Sequence, residues 1–142
     1  MDVLTPARTT KEQYKAVSVP RFKTAAQALK YLDYLIASPG QAAIIDAGGT
    51  LVQIPDPARF AFHKMIVAQE RPVIEHGKRA KDLRQASLLC AILAEERPGD
   101  LQIAWDDLVS RGKQWEKQAR KGMEAMQALH PDTPSLTHIL LP

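Results

Sequence analysis

The segment RFAFHKMIVAQERP, residues 59–72, decides most of the fold, because it reads as an amphipathic helix with a charged interruption. Apolar residues recur three and four positions apart along it, as expected for a helix with one buried face. Its middle holds His63 and Lys64, where packing alone would favour leucine or alanine. A second charged cluster, KRAKDLRQA, follows at residues 78–86 and opens a further helical pattern. Two consecutive helices therefore carry polar groups close to a core.

The sequence also predicts where the helix at residues 59–72 begins and ends. Asp56 can cap its N-terminus, and Pro57 suits the first turn because that position needs no N–H. Pro72 should end it, so we expect a helix from Asp56 to about Gln69. Further helices are predicted over about 78–96 and about 100–129, with possible breaks at two glycines, Gly112 and Gly122.

Upstream of this region the pattern is less regular. AVSVP, residues 16–20, alternates as a short strand does. From Thr24 a helix is predicted to run to the SPG stop, since its apolar positions recur at helical spacing. These positions are Ala25, Ala28, Leu29, Leu32, Leu35 and Ile36.

A β-hairpin is predicted around the Gly48-Gly49 pair, because glycine tolerates the positive φ values of tight turns. Its strands are expected at about 42–47 and 50–54. The fold class that follows is α+β: a small mixed β-sheet, made of AVSVP and this hairpin, packed against a predominantly helical C-terminal bundle. A strand around Val3-Leu4 could join that sheet.

Length and composition favour one globular domain. The chain has 142 residues, of which 45% are hydrophobic and 25% charged, as in average globular proteins. We expect a single domain with a sheet-and-helix part at 1–56, a helical part at 57–130 and a tail at 131–142 that docks its apolar residues.

Charge and cysteine content limit the function classes. The net charge of +3 favours anionic partners without matching a dedicated nucleic-acid arm. Cys90 is the single cysteine, so no disulfide can form within the chain, and its apolar surroundings predict a buried thiol. No apolar stretch approaches the ~20 residues of a membrane span, and no leader-like segment opens the chain, so we expect a cytoplasmic protein.

Each polar cluster admits two interpretations. Lys64 shares a helix side with Phe60 and Val67, so it can run its methylenes along an apolar patch, or it can bind a ligand at the edge of that patch. His63 is more often a hydrogen-bonded core residue than a base or a metal ligand.

The second cluster forms a stripe on the next helix. Asp82 lies there beside lysines three and four residues away, and the stripe continues into apolar residues expected to be buried, as at the rim of a cleft. The alternative is a surface ion pair between Asp82 and Lys78. The stripe comprises Lys78, Lys81, Asp82, Gln85, Leu89, Ile92 and Leu93.

The two clusters together bring several cations onto neighbouring helices. Arginine offers a bidentate fork and lysine a mobile point charge, which suit phosphate groups. We therefore predict a phosphate-binding cleft. The cations are Lys64, Arg71, Lys78, Arg79 and Lys81.

In order and spacing, VQIPDPARFAFHKMIVAQERP followed by KRAKDLRQASLLCAIL resembles bacterial proteins of the minimal nucleotidyltransferase fold related to DNA polymerase β. The resemblance is specifically to the branch that includes AbiEii-like toxins and covers about residues 1–120. The resemblance implies a nucleoside triphosphate as substrate and Mg²⁺ as cofactor. It implies catalytic roles for Lys64 and Asp82, and a third metal-binding carboxylate at Asp2 in MDVLTP. Its implied phosphate ligands are Lys64, Arg71, Lys78 and Lys81.

The sequence departs from that family at the metal site. Family members carry a glycine turn followed by a paired Asp-x-Asp or Asp-x-Glu that holds two Mg²⁺ ions, and neither pair occurs in this sequence. Two-metal phosphoryl transfer depends on such carboxylates. The resemblance therefore implies the C-terminal portion of a nucleotidyltransferase, inactive alone, whose full form would transfer a nucleotidyl group to a protein, RNA or small-molecule acceptor.

Two alternatives without chemistry stay open. RGKQWEKQARKG, residues 111–122, combines Trp115 with five cations, which suits nucleic acid or an acidic antitoxin-like partner, unless Trp115 belongs to the core. A small sheet with exposed edges could instead pair with another copy, giving a homo-oligomer.

Overall fold

The structure is a computed structural model that describes residues 3–7, 9–45 and 48–140. Five strands and five helices follow one another along these ranges. The strands are β1 (Leu4–Pro6), β2 (Ala16–Val19), β3 (Thr24–Leu29), β4 (Gly40–Ile44) and β5 (Thr50–Ile54). The helices are α1 (Leu32–Ile36), α2 (Pro57–Glu70), α3 (His76–Glu96), α4 (Pro98–Ser110) and α5 (Lys113–Leu129).

A three-stranded sheet occupies the N-terminal part, with the order β1-β3-β2. β3 is central: Gln27 lies opposite Leu4 in the parallel pairing with β1 and opposite Ala16 in the antiparallel pairing with β2. The expected strands at AVSVP and at Leu4 are both present, so these two predictions are confirmed.

The helix predicted from Thr24 is wrong over its first half. Residues 24–29 form β3, and only Leu32–Ile36 is helical. The alanines there fit a helix by propensity, but Ala26 and Ala28 alternate with exposed residues and are both 1% exposed. Pairing with strands on both sides outweighs the local preference. Tyr31, with φ of 63°, separates strand from helix.

The predicted hairpin exists, with Gly49 at the expected positive φ of 65°. β4 and β5 pair antiparallel with Gly40 opposite Ile54, and residues 46 and 47 lie outside the described ranges. The prediction that the hairpin and AVSVP share one sheet is wrong. The hairpin forms a two-stranded sheet of its own. The reason is that β3, mistaken for a helix, is the partner of β2.

The helical bundle is built around α2, which packs against α3, α4 and α5. Asp56 caps α2 as predicted, with its Oδ1 accepting a hydrogen bond from the Arg59 backbone N–H at 3.0 Å. Phe62, Met65 and Ile66 on its buried face are fully shielded from solvent. The helices predicted at 57–69 and 78–96 are confirmed within two residues at each end.

The long C-terminal helix divides at one of its two glycines. α4 ends before Gly112, which has φ of 117°, whereas Gly122 lies within the uninterrupted α5. Beyond α5 the tail docks as expected, since Leu136 is buried and Ile139 packs on the same core. Cys90 is buried in α3, also as expected. No helix in the described ranges has the length and apolarity required to cross a membrane.

Candidate phosphate-binding cleft

A cleft of about 470 Å³ opens where α2 ends and α3 begins. The N-terminal sheet forms its other wall, so the cleft joins the two parts of the molecule. Its volume falls within the range of small-molecule sites. The lining residues include Tyr14, Lys30, Tyr31, His63, Lys64, Glu70, Arg71 and Glu75.

Asp82 is the anchor of the charged groups around this cleft. Its side chain is 4% exposed, and its two oxygens hold different cations. Oδ1 accepts a hydrogen bond from Lys64 Nζ at 2.8 Å, and Oδ2 accepts one from Arg71 Nε at 2.9 Å. A buried carboxylate thus fixes a lysine from α2 and an arginine just beyond it. The alternative in which Asp82 pairs with Lys78 is wrong, because Lys78 donates to Glu75 instead.

The packing interpretation of Lys64 is confirmed, and its role as a ligand-binding residue stays a prediction. Its ammonium lies 5.1 Å from the centre of the Phe60 ring, so the side chain follows the apolar patch. The same ammonium then reaches Asp82. Packing along the helix therefore carries the charge into the cleft.

Two further carboxylates, Glu75 and Glu70, pair with cations of the cleft. Arg71 Nη1 donates to Glu75 at 3.2 Å, and Lys30 pairs with Glu70 at 3.4 Å. The Tyr31 hydroxyl also donates to Glu70, at 3.2 Å. Burial, together with the Glu70 charge, raises the pKa of Tyr31 to about 12, so its hydroxyl keeps its proton at neutral pH.

Lys78 and Lys81 lie away from this arrangement. Both are exposed, and neither lines the cleft. Arg79 turns to a different cavity with His76 and Leu83, where its Nη2 donates to Gln69 at 3.4 Å. The structure thus brings together Lys64, Arg71 and Asp82 of the predicted site.

The stripe on α3 is only partly buried as expected. Leu93 is 4% exposed, but Ile92 is 54% exposed, so the expectation for Ile92 is wrong. The cause is helical drift: at about 100° per residue, Leu93 returns close to the direction of Asp82, whereas Ile92 points roughly 80° away.

The described residues offer no fit for the expected magnesium. They contain no group of three histidine, cysteine, aspartate or glutamate side chains able to hold a metal ion. Asp82 also has both oxygens bonded to cations. Asp2, the predicted metal ligand, lies outside the described residues.

His63 lines the cleft beside Lys64 without the hydrogen bond expected of a core histidine, since its Nδ1 is buried and unpaired within the described structure. Burial, reinforced by the charge of Lys64, lowers the pKa of His63 to about 4. The Asp82 and Asp33 carboxylates oppose this shift without reversing it. His63 is therefore neutral at physiological pH.

The lowered pKa of His63 makes stability depend on pH. The unfolded chain, with a histidine pKa of 6.5, binds a proton that the folded chain refuses until about pH 4. The contribution of His63 is fully present above pH 6.5 and is lost as the pH falls toward 4. Between pH 7 and pH 4 this loss in the free energy of unfolding is about 3 kcal/mol, and we expect His63→Gln to abolish it. Urea unfolding of the unchanged protein and of His63→Gln between pH 4 and 7 measures this difference. The same fall in the free energy of unfolding with pH in both proteins would contradict the prediction.

Several residues that line the cleft are not predicted from the sequence. Lys30 and Tyr31 flank β3, in the segment mistaken for a helix, and Tyr14 precedes β2. Their approach to the cleft follows from strand pairing, which leaves no local signal in the sequence.

In the basic segment at 111–122, Trp115 packs against the core, whereas Lys113, Lys117, Arg120 and Lys121 are exposed. Trp115 is partly buried, with its ring centre 4.6 Å from that of Tyr31, which confirms the core interpretation of this residue. Arg120 pairs with Glu116 and lies over Trp105. The tryptophan is therefore committed to the bundle.

Comparison with known proteins gives one positive result. No curated protein and no solved structure matches the chain. A family model described as Nucleotidyltransferase matches residues 1–110, which include both walls of the cleft and the Lys64, Arg71 and Asp82 cluster. The chain therefore belongs to this nucleotidyltransferase family.

Proposed function

We propose that the cleft binds the triphosphate of a nucleotide. It would hold the nucleotide substrate in a nucleotidyl transfer reaction. Lys64 and Arg71 are the phosphate ligands, and Asp82 is the residue that positions both. The observation that carries this proposal is the pair of hydrogen bonds that two cations lining the same cleft donate to one buried carboxylate.

Both cations keep donors for a ligand. A lysine ammonium has three N–H groups and an arginine guanidinium has five. Asp82 occupies one on Lys64, and Asp82 and Glu75 occupy two on Arg71. Asp82 therefore fixes the direction of the two side chains without using up their capacity to bind phosphate oxygens.

Glu75 and Glu70 compete with the ligand for cations of the cleft, since Glu75 pairs with Arg71 and Glu70 pairs with Lys30. Glu75 is bound to Arg71 and also to the exposed Lys78. When a phosphate arrives, Glu75 can keep Lys78 while Arg71 turns its outer N–H groups to the ligand. The exposed lysine then affects binding only indirectly, by holding a carboxylate away.

The transfer step itself requires more than these residues. Nucleotidyl transfer by two metal ions needs carboxylates that fix both ions, and the described residues do not provide them. We propose that paired carboxylates from another polypeptide segment complete the reaction, with a protein, RNA or small-molecule hydroxyl as acceptor. The likeness to AbiEii-like toxins and an antitoxin-like partner remain predictions.

Nucleotide binding by single variants tests the proposal. Lys64→Gln and Arg71→Gln should each weaken ATP binding about ten- to a hundredfold, because a hydrogen bond to a charged group contributes roughly 1.5–3 kcal/mol. Glutamine keeps a donor for Asp82, which limits damage to the fold. Isothermal titration calorimetry in EDTA at low salt measures the affinity without metal ions.

Two further lysines serve as controls. Lys117→Gln changes an exposed lysine on α5 outside the cleft and should leave affinity within about twofold. Lys81→Gln should behave the same way, because Lys81, a predicted phosphate ligand, does not line the cleft. If folded Lys64→Gln bound ATP like the unchanged protein, the proposal would fail.

A further inference from the structure

Tyr14 stands at the rim of the cleft, on the wall opposite α2. It lies between the 3-10 turn at Thr10–Glu12 and β2, and it is 62% exposed while lining the same cavity as Lys64 and Arg71. Its aromatic ring is largely open to solvent. It presents a flat apolar face where a ligand would enter.

The backbone of Tyr14 is held in a conformation that tyrosine disfavours. Its φ is 64°, in the left-handed region, where glycine or asparagine would be accommodated more easily. Two hydrogen bonds hold the chain there: the Tyr14 N–H donates to the Ala28 carbonyl at 2.7 Å, and the Ala28 N–H donates to the Lys15 carbonyl at 2.9 Å. Such strain persists where the surroundings enforce it, and it concentrates at functional sites.

Tyr31 provides an internal comparison. It too has a positive φ, of 63°, and it lines the same cleft. Its ring packs edge-on against Trp115, and its hydroxyl donates to Glu70, so its position is explained by contacts within the protein. For the Tyr14 side chain, the part of the chain that the structure describes supplies neither a ring contact nor a hydrogen bond.

We propose that Tyr14 stacks on the base of the nucleotide whose phosphates lie on Lys64 and Arg71. This inference rests on the proposed function and assigns the opposite wall of the cleft to the base. Stacking on an aromatic ring tolerates any base, because every base has a π-face. The cleft should therefore select a base joined to a polyphosphate, with little preference among the four nucleotides.

Paired ligands separate the base from the phosphates. Tyr14→Ala should weaken ATP binding about tenfold and leave inorganic tripolyphosphate binding within about twofold, because only ATP offers a base to stack. Lys64→Gln should weaken both ligands. Tyr14→Phe should bind ATP like the unchanged protein, since phenylalanine keeps the ring. GTP, CTP and UTP should show the same dependence on Tyr14 as ATP.

Two variants control for fold and exposure. Phe22→Ala removes a ring that is 69% exposed and does not line the cleft, so ATP affinity should not change. Tyr14→Asn fits the left-handed backbone, and it should unfold at or above the temperature of the unchanged protein while binding ATP about tenfold more weakly.

Calorimetric titrations of these variants with ATP and tripolyphosphate decide between the outcomes. Loss of ATP affinity alone in Tyr14→Ala supports the inference. ATP affinity unchanged in Tyr14→Ala, or equal loss for both ligands, overturns it, even where Lys64→Gln upholds the proposed function. An unchanged protein that binds neither ligand overturns both.

Discussion

Gly122→Ala is expected to destabilise the protein by about 3 kcal/mol, the upper end of the range for overpacking a core. A Cβ at this position would lie 2.6 Å from both the Cβ and the backbone oxygen of Met65 on α2. Backbone atoms cannot rotate away as a side chain can, so α5 must separate from α2. That separation would loosen the core around Met65 and Met126, which are at most 1% exposed.

Gly77→Ala is the matched control for this prediction. Gly77 also lies in a helix, the first turn of α3, but a Cβ there would meet nothing within 4 Å. Alanine should stabilise that position by about 0.4–1 kcal/mol, because it restricts the unfolded chain. The midpoint temperature of thermal unfolding should be lowered by roughly 10 °C in Gly122→Ala. Equal midpoints for the two variants would show that the helices do not pack as closely as described.

The helical part could be predicted from sequence because its signals are local. Asp56, Pro57 and Pro72 act within a turn of the helix end that they define, and α2 and α3 begin and end close to the predicted positions. The break at Gly112 and the continuity at Gly122 could not be separated in this way. Gly122 is needed for close packing with Met65, which is distant in sequence.

The sheet was harder to predict because strand pairing is not local. Residues 24–29 have the composition of a helix, and their strand conformation follows from partners at Leu4–Pro6 and Ala16–Val19. A helix at residues 24–29 would leave the hairpin as the remaining partner for AVSVP. One error therefore led to the other.

The site was predicted in part for the same reason. Lys64 lies on α2, Arg71 directly follows that helix, and Asp82 lies on α3, so the short stretch of chain between them favoured a common site. Lys78 and Lys81 share a helix with Asp82, but both are exposed and neither lines the cleft. Tyr14 and Lys30 reach it through the sheet, which the sequence did not predict correctly.

Asp82→Asn is expected to lower the free energy of unfolding by about 3 kcal/mol, near the lower end for breaking a buried ion pair. The amide matches the carboxylate in size but offers a single acceptor oxygen. One of the two cations would therefore face the amide N–H₂ group, a donor opposite a donor. The loss stays at the lower end because Lys64 and Arg71, with side chains 21% and 28% exposed, can turn partly to water.

Asp106→Asn is the control for charge and for the chemistry of the change. Asp106 is exposed and accepts a hydrogen bond from Gln102 Nε2 at 2.7 Å, which an amide oxygen can also accept. Its substitution should alter stability by less than about 0.5 kcal/mol. Urea unfolding of both variants gives the comparison, and equal stability would contradict a structural role for Asp82.

Binding of tripolyphosphate to the same two variants separates positioning from simple charge. Each variant loses one negative charge relative to the unchanged protein, so electrostatic attraction alone predicts affinity that is equal or slightly higher in both. If Asp82 positions Lys64 and Arg71, Asp82→Asn should instead bind roughly tenfold more weakly, because the cation that the amide no longer holds must then be immobilised on binding. Calorimetry at low salt distinguishes these results. Tighter binding by Asp82→Asn would mean that Asp82 competes with the ligand and does not prepare its site.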